Sequence, residues 1–264
     1  MGSSDTLFAG SIPAIYDRCL GPFLFEPYAA DLARRSAALG AGRVLETAAG
    51  TGIVTAALAR ALPEAEIVAT DLNPAMLEVA AGKLSSPGVS FAPADAQSLP
   101  FEDGRFDLVV CQFGAMFFPD RIAAYREARR VLRPGGAFQF NVWDRIEANP
   151  ASEAVADAVA ALFPGDPPGF LERVPFGYHD KTRIKADLRA AGFDSIEAAT
   201  VPLRAGGSAR DLAVGLCQGA PLRSEIEARD PGRLDEATEA AAKSVAALGD
   251  RAFDLSAHVF TARA

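Results

Sequence analysis

The chain is poor in cysteine. It holds three, Cys19, Cys111 and Cys217, an odd number, widely spaced and with no CxxC pair. That pattern argues against a disulfide framework and a zinc site, and it fits a reducing cytosol. No metal site is read. Positive charge is also short: 26 Lys and Arg face 34 Asp and Glu, a net charge of −8. The densest basic run, ARRVLRPGG, reads as a helix end, so no basic face for nucleic acid is expected. Long apolar runs are missing too. LVVCQFGAMFF at 108–118 is too short to span a bilayer, and the first twenty residues lack the basic start of a signal peptide. There is no internal repeat and no linker long enough to divide the chain. What remains is a 264-residue, half-hydrophobic, 23% charged sequence, suited to one soluble α/β domain over 1–264.

From residue 43 strand and helix signals alternate. RVLETA, EIVATD, VSFAPAD, FDLVVCQ and AFQFNVW read as strands, the fourth so apolar that both its faces are expected to be covered. Helices are expected over 51–62, 73–84 and 119–132, the second with Asn73 as N-cap and Pro74 at the first helical position. Pro134-Gly135-Gly136 is read as the stop of the third. This rhythm implies right-handed βαβ units and a doubly wound, mostly parallel sheet. After Trp143 the rhythm breaks. SEAVADAVAALF reads as helix, and a Pro/Gly-rich loop and the aromatic stretch FLERVPFGYH follow. Asp180 is expected to cap a helix that ends at Gly192. DSIEAATVPL reads as strand, 208–248 as helical, and AFDLSAHVFTA as a closing strand. The first 40 residues are rich in aromatics: Phe8, Tyr16, Phe23, Phe25 and Tyr28. They read either as a helical pair packed on the sheet edge or as a lid over a ligand.

The most telling phrase is VLETAAGTG at 44–52, followed nineteen residues after Gly52 by Asp71 in IVATDLNP. Gly50 and Gly52 permit a tight turn and close approach of a ligand. The helix starting near Thr51 points free N–H groups outward. Asp71, ending the next strand, can accept from both hydroxyls of a ribose. A nucleoside is thus expected at the carboxyl ends of the strands. A dinucleotide needs GxGxxG, but the chain reads Ala48-Ala49-Gly50-Thr51-Gly52-Ile53 and continues with Val54 and Thr55. The missing third glycine disfavours a nicotinamide-dependent oxidoreductase.

Three further phrases fall in register: PADAQSLPFEDGRFDLVV (93–110), CQFGAMFFPD (111–120) and REARRVLRPGGAF (126–138). With the glycine turn they resemble the class I S-adenosylmethionine-dependent methyltransferases, especially the small-molecule branch that includes the ubiquinone/menaquinone C-methyltransferases. The resemblance covers about residues 43–143. It implies a Rossmann-like methyltransferase fold, a seven-stranded sheet with its last strand antiparallel. Around it would lie an N-terminal helical lid (1–40), a cofactor-binding core (43–143), and helical inserts over the substrate side (144–180 and 203–250). It implies S-adenosylmethionine as cofactor and S-adenosylhomocysteine as product. By the same resemblance Glu46 would face the methionine amino group. Ala48, Gly50, Thr51 and Gly52 would form the turn, Asp71 would hold the ribose, and Leu72 and Met76 would contact the cofactor, Leu72 on the adenine face. Asp95 and Ala96 would meet the adenine edge. Gln112 and Phe113 would border the transferring methyl, and Tyr16 would close over the cofactor. The departure is Ala48, where the family usually has glycine; alanine is tolerable there if its φ is negative.

Methyl transfer from a sulfonium needs alignment and exclusion of water more than acid–base machinery. His179 is the candidate base or substrate contact. His258 is expected to be packed in its strand, and Asp107, opening the fourth strand, to be structural. Phe25, Tyr28, Phe117, Trp143, Phe176 and Tyr178, with Phe118 and Phe170, are candidates for an apolar acceptor pocket. The acceptor is read as small and apolar or aromatic, the partner set as that small molecule without nucleic acid or membrane span, and the assembly as monomer or homodimer. A second reading is a regulatory protein that binds the cofactor without turnover.

Overall fold

The computed structural model of the chain describes residues 12–264; Phe8 lies outside them. Seven strands form one sheet: β1 (Arg43–Thr47), β2 (Glu66–Asp71), β3 (Val89–Pro93), β4 (Phe106–Gln112), β5 (Leu132–Trp143), β6 (Ser195–Arg204) and β7 (Asp254–Arg263). Their order is β3-β2-β1-β4-β5-β7-β6. β1 pairs in parallel with β2 and β4, β2 with β3, and β4 with β5. β7 runs the other way, because Gly135 and Gly136 of β5 bond Ala264 while Asp144, just past β5, bonds Ser256. The doubly wound, mostly parallel sheet with an antiparallel last strand is therefore as the sequence predicts.

Local chemistry explains the helices that wrap it. Asn73 accepts from the Ala75 N–H and so caps α4 (Pro74–Lys83), with Pro74 at the first position. Asp120 caps α5 (Arg121–Val131) through Ala123. Asp180 caps α8 (Lys181–Ala190) through Thr182 and Arg183, and Gly192 ends that segment at φ 97°. β4 is buried throughout its apolar centre, from Leu108 to Cys111.

The Pro-Gly-Gly phrase behaves differently from expectation. It does not end a helix ahead of a strand; it lies inside β5, which begins at Leu132. Phe106 pairs with Leu132 but Leu108 with Ala137, so the register jumps across a bulge. Gly135 takes φ 78° there, and a Cβ on Gly136 would stand 2.9 Å from the Arg133 carbonyl. Upstream, Arg130 donates to the carbonyls of Leu99 and Phe101 and to Asp103, while Glu127 accepts from the Leu99 N–H. The LPFEDG and REARR phrases are thus two halves of one loop anchor.

Two compact units are formed. The first holds Tyr28–Val142, His179–Thr200 and His258–Ala264, and carries the sheet core. In it Ser36 donates to Gln139, which donates to Thr261, a buried polar chain within an apolar layer. The second holds, of the described residues, 12–27, Trp143–Tyr178 and Val201–Ala257, and is mainly helical. Its helices are α1 (Ile12–Ile15), a π-helix (Tyr16–Phe25), α6 (Pro150–Leu162), α7 (Phe170–Arg173), α9 (Ala209–Gln218), α10 (Leu222–Arg229) and α11 (Leu234–Ala247). α11 packs on α9 and α6, and α9 on the π-helix. Tyr16, Phe23 and Phe25 lie on the π-helix, and Tyr28 on α2 (Glu26–Ala37), which follows it directly. Among the described residues no helix is long and apolar enough to cross a membrane.

Candidate functional site

The turn after β1 is left-handed at three of five residues: Ala48 at φ 54°, Gly50 at 55° and Gly52 at 80°. Ala49 N–H bonds the Thr70 carbonyl at 2.9 Å, and Gly52 N–H the Ala49 carbonyl at 3.0 Å. α3 (Ile53–Ala61) then starts with no side-chain cap. The expectation of a negative φ at Ala48 fails. The turn needs a left-handed residue immediately after the strand, and alanine meets that need at a cost of about 1–2 kcal/mol. This is the physical reason for glycine at that place in the resembling family. The two glycines do different work. A Cβ on Gly52 would stand 2.8 Å from Ala80 Cβ on α4, so its absence lets the helices close up. A Cβ on Gly50 would meet nothing within 4 Å; this glycine borders open space.

Asp71 pins the turn. Its Oδ2 accepts from the Gly50 N–H at 2.8 Å and its Oδ1 from the Asn73 N–H at 2.8 Å. Burial pushes its carboxyl above the usual range, and those amides oppose the shift. Glu46 lies one strand inward and is almost wholly buried. Burial, with the charge of Asp71 adding to it, pushes its carboxyl up to about 8. Thr55 lies close enough to offset part of that rise, yet no hydrogen bond of ordinary geometry forms. Glu46 Oε2 and Thr55 Oγ1 are both buried without a partner. Leu72, beside Asp71, is a large hydrophobic residue left 65% exposed. Asp95 and Ala96 follow β3, both half-buried. Asp95 accepts from the Gln97 N–H at 2.8 Å and its side-chain amide at 3.2 Å. Thr51 and Met76 are buried.

At the end of β4, Phe113 is also left-handed, at φ 50°. Its N–H is shared between the Asn141 carbonyl, 3.2 Å, and Asn141 Oδ1, 3.0 Å. Asn141 Nδ2 also donates to Gln112 Oε1 at 3.3 Å. Asn141, wholly buried on β5, thus holds both residues, and the sequence reading missed it. Its signal was a polar residue between Phe140 and Val142 in an apolar strand. Gly114 was missed too: a Cβ there would fall 2.4 Å from Ala48 Cβ and 2.8 Å from Cys111 Sγ. The edge of one ring meets the face of the other between Tyr28 and Phe113, 5.4 Å apart. Asp107, at the other end of β4, is structural. Its Oδ2 accepts from the Gly42 and Arg43 N–H groups and its Oδ1 from Arg133; burial works against its charge, but these bonds win and hold it below the usual range.

The aromatic candidates divide between the units. In the helical unit Tyr16 stacks on Phe25 at 4.8 Å, Phe25 meets Trp143 at 6.4 Å, and Trp143 meets Phe176 at 6.0 Å. Tyr16, expected at the cofactor, is therefore part of a ring series with three pocket candidates. Tyr178 is buried, Phe117 half-buried on a short 3₁₀ turn. His179 is exposed, directly before the Asp180 cap. His258 is buried, its Nδ1 3.1 Å from Thr200 Oγ1. The three cysteines are unpaired and buried.

A family model described as a methyltransferase domain matches residues 44–136. The ubiquinone/menaquinone biosynthesis C-methyltransferase UbiE of Pectobacterium carotovorum subsp. carotovorum is 31% identical over 179 residues, 58% of this chain and 67% of that protein. The chain belongs to the class I S-adenosylmethionine-dependent methyltransferases. The UbiE of Pseudomonas aeruginosa (strain PAO1) is 33% identical over 168 residues, 58% of this methyltransferase and 66% of the relative. The chain thus spans just under two thirds of the length of that relative. Among solved structures, phosphoethanolamine N-methyltransferase 2 of Haemonchus contortus, complexed with phosphomonomethylethanolamine and S-adenosylhomocysteine, superposes with a TM-score of 0.64 at 15% identity. The match covers 100% of this methyltransferase and 60% of that chain, and shows the fold. The segment 44–136 takes in Glu46, the glycine turn, Asp71, Asp95 and Gln112, and stops before Trp143. The ring series of this methyltransferase lies outside it.

Proposed function

We propose that the protein transfers the methyl group of S-adenosylmethionine to a small, apolar or aromatic acceptor by in-line displacement. One observation carries this reading. Glu46 Oε2 is buried and unpartnered, on the strand that feeds a turn pinned by Asp71. An uncompensated buried polar atom costs about 1–3 kcal/mol, more when charged. The methionine ammonium is a cation of the right kind to relieve it, so the residues present fit the cofactor. Asp71 keeps lone pairs beyond its two amide bonds for the ribose hydroxyls. The exposed Leu72 would lose its apolar surface to the adenine face, and Asp95 with the Ala96 N–H would meet the adenine edge. Ala48, Gly50, Thr51 and Gly52 line the turn, Met76 backs it from α4, and Gln112 with Phe113 borders the methionine portion.

When bound, the cofactor supplies an electrophilic methyl on a sulfonium. The protein's task is alignment, and the Asn141 bonds that lock Gln112 and Phe113 serve it by removing freedom from that wall. A base is needed only if the acceptor must lose a proton, and His179 is proposed for that role. Phe25, Tyr28, Phe117, Trp143, Phe176 and Tyr178 are proposed to shape the acceptor's surroundings. Unpaired thiols support a reducing, cytoplasmic setting, and a monomer or homodimer is proposed. The test is thermal unfolding with S-adenosylhomocysteine, expected to stabilise by about 2.7 kcal/mol at a hundredfold excess over Kd, followed by methyl-transfer assays on a panel of small aromatic acceptors. No shift with that ligand and a shift with NAD would overturn the reading.

A further inference from the structure

Three arginines of α5 border a cleft at the end of the sheet where β4 and β5 begin. Arg126, Arg129 and Arg130 line it together with Leu132, Pro134 and Ala191. Its volume is about 540 Å³, within the range of small-molecule sites. All of its residues belong to the compact unit that carries the sheet core. Positions 126, 129 and 130 fall on one face of a helix, three and four residues apart. The chain carries a net charge of −8, so a cleft rich in guanidinium runs against its overall sign.

The three guanidinium groups are not equivalent. Arg130 is fully engaged by the fold: it donates to Glu127, to Asp103 and to the carbonyls of Leu99 and Phe101. Arg126 donates one Nη2–H to the Ala190 carbonyl at the end of α8, 3.3 Å away, and its other donors are open. Arg129 makes no hydrogen bond or ion pair among the described residues. It is nonetheless seated. Gly192, at φ 97°, leaves the space that this side chain crosses. A Cβ there would stand 3.1 Å from Arg129 Nε and 3.2 Å from its Cδ. The glycine that ends α8 is therefore also the seat of an arginine. One tethered and one seated guanidinium thus border the cleft with unused N–H donors, beside the apolar surface of Leu132, Pro134 and Ala191.

We propose that this cleft binds a phosphate group carried on a small organic body, through Arg126 and Arg129, at a site separate from the glycine turn. A guanidinium pairs with an oxyanion through parallel N–H bonds. The two oxygens of a carboxylate fill one such fork, whereas the three terminal oxygens of a phosphate ester can meet two. The apolar residues suit the body that carries it. Two open guanidinium groups are too few for the run of phosphate contacts that holds a nucleic acid. β4 runs parallel to β1, so the start of β4 and the turn after β1 lie at opposite ends of the sheet. The separation is about 20 Å along β4, at about 3.3 Å per residue. The site therefore stands whether or not methyl transfer does.

The test is calorimetric titration of the full chain at low salt with phenyl phosphate, a phosphate monoester with a small apolar body. One site per chain is expected, bound about tenfold more tightly than benzoate and undisturbed by saturating S-adenosylhomocysteine. Arg126→Gln and Arg129→Gln should each weaken it about tenfold, the scale of one lost charged hydrogen bond. Arg129→Lys keeps the charge but loses the fork, and should weaken it too. Arg60→Gln removes the same charge from an exposed arginine in the last turn of α3 and should change nothing. Arg129 is exposed, so its variants should melt as the parent does. If Arg126→Gln melts lower for want of its Ala190 bond, Arg129→Gln decides alone. Co-sedimentation with phosphatidylcholine vesicles, with and without phosphatidate, separates two sources of the phosphate. Capture by phosphatidate that Arg129→Gln abolishes supports a lipid headgroup; no capture, with phenyl phosphate still bound, supports a soluble ester. No saturable binding of phenyl phosphate, equal affinity for benzoate, full affinity in Arg129→Gln or Arg129→Lys, an equal loss in Arg60→Gln, or displacement by S-adenosylhomocysteine would each overturn the proposal. A protein that binds phenyl phosphate but not S-adenosylhomocysteine would overturn only the methyl-transfer reading.

Discussion

Replacing Glu46 by glutamine should make the ligand-free protein more stable and the bound one weaker. Burial raises the Glu46 carboxyl from 4.5 to about 8. Below pH 4.5 both the folded and unfolded chains are protonated there, and the full stability is present. Between the two values the unfolded chain gives up its proton while the folded one keeps it, so stability falls as pH rises. Each unit is worth 1.36 kcal/mol, which makes the whole loss about 5 kcal/mol and the part between pH 5.5 and 8 about 3 kcal/mol. Glutamine carries no such proton. Asp71 contributes a similar slope to both proteins, and it largely cancels in the difference. Urea unfolding at pH 5.5, 7 and 8.5 should therefore show the variant gaining on the parent as pH rises. Binding should move the other way. A methionine ammonium favours the charged carboxylate, so at pH 6.5 S-adenosylhomocysteine should expel about one proton from Glu46. Calorimetry in buffers of different ionisation heat measures it, and the glutamine variant should release none while binding more weakly. Parallel stability profiles for the two proteins, or binding heats independent of buffer, would refute the reasoning.

Asp71→Ala removes the acceptor of the Gly50 and Asn73 amides together with the proposed ribose partner. At about 1.5–3 kcal/mol for a charged hydrogen bond, calorimetry should show at least a tenfold rise in the Kd for S-adenosylhomocysteine, and scanning calorimetry a lower Tm. Gly114→Ala should destabilise by several kcal/mol or prevent folding, since its methyl has no room beside Ala48 and Cys111; adding Ala48→Gly should recover part of the loss in urea melts, because it removes the nearer clash and the left-handed strain. His179→Ala should leave the Kd for S-adenosylhomocysteine unchanged and lower turnover once an acceptor is found; full activity would retire it as a base.

Much of the sheet half was legible in the chain itself. Alternating apolar strands, the Asn73-Pro74 and Asp180 caps, and Gly192 depend on near neighbours in sequence, and such short-range chemistry prints itself locally. Gly50, Gly52 and Asp71 were readable for the same reason, since a turn and a strand end are local events. Other features needed contacts that sequence spacing does not carry. Ala48 is left-handed because of the path the turn takes from β1 into α3, and Gly114 is glycine because that path brings Ala48 Cβ against it from 66 positions away. Asn141 looked like a polar blemish in a strand until β5 lay beside β4 and its amide met Phe113 and Gln112. The Pro-Gly-Gly phrase read as a stop and became a bulge: the β4 register skips it, and Gly135 and Gly136 find their backbone partner in Ala264 instead. Tyr16 and Phe25, set on opposite faces by any α-helical count, stack because the segment between them, with Pro22 inside it, winds as a π-helix. The sequence by itself determined where the glycine turn and the acidic strand end lie. Tertiary packing alone decided which backbone strain is tolerated there and which aromatic rings meet.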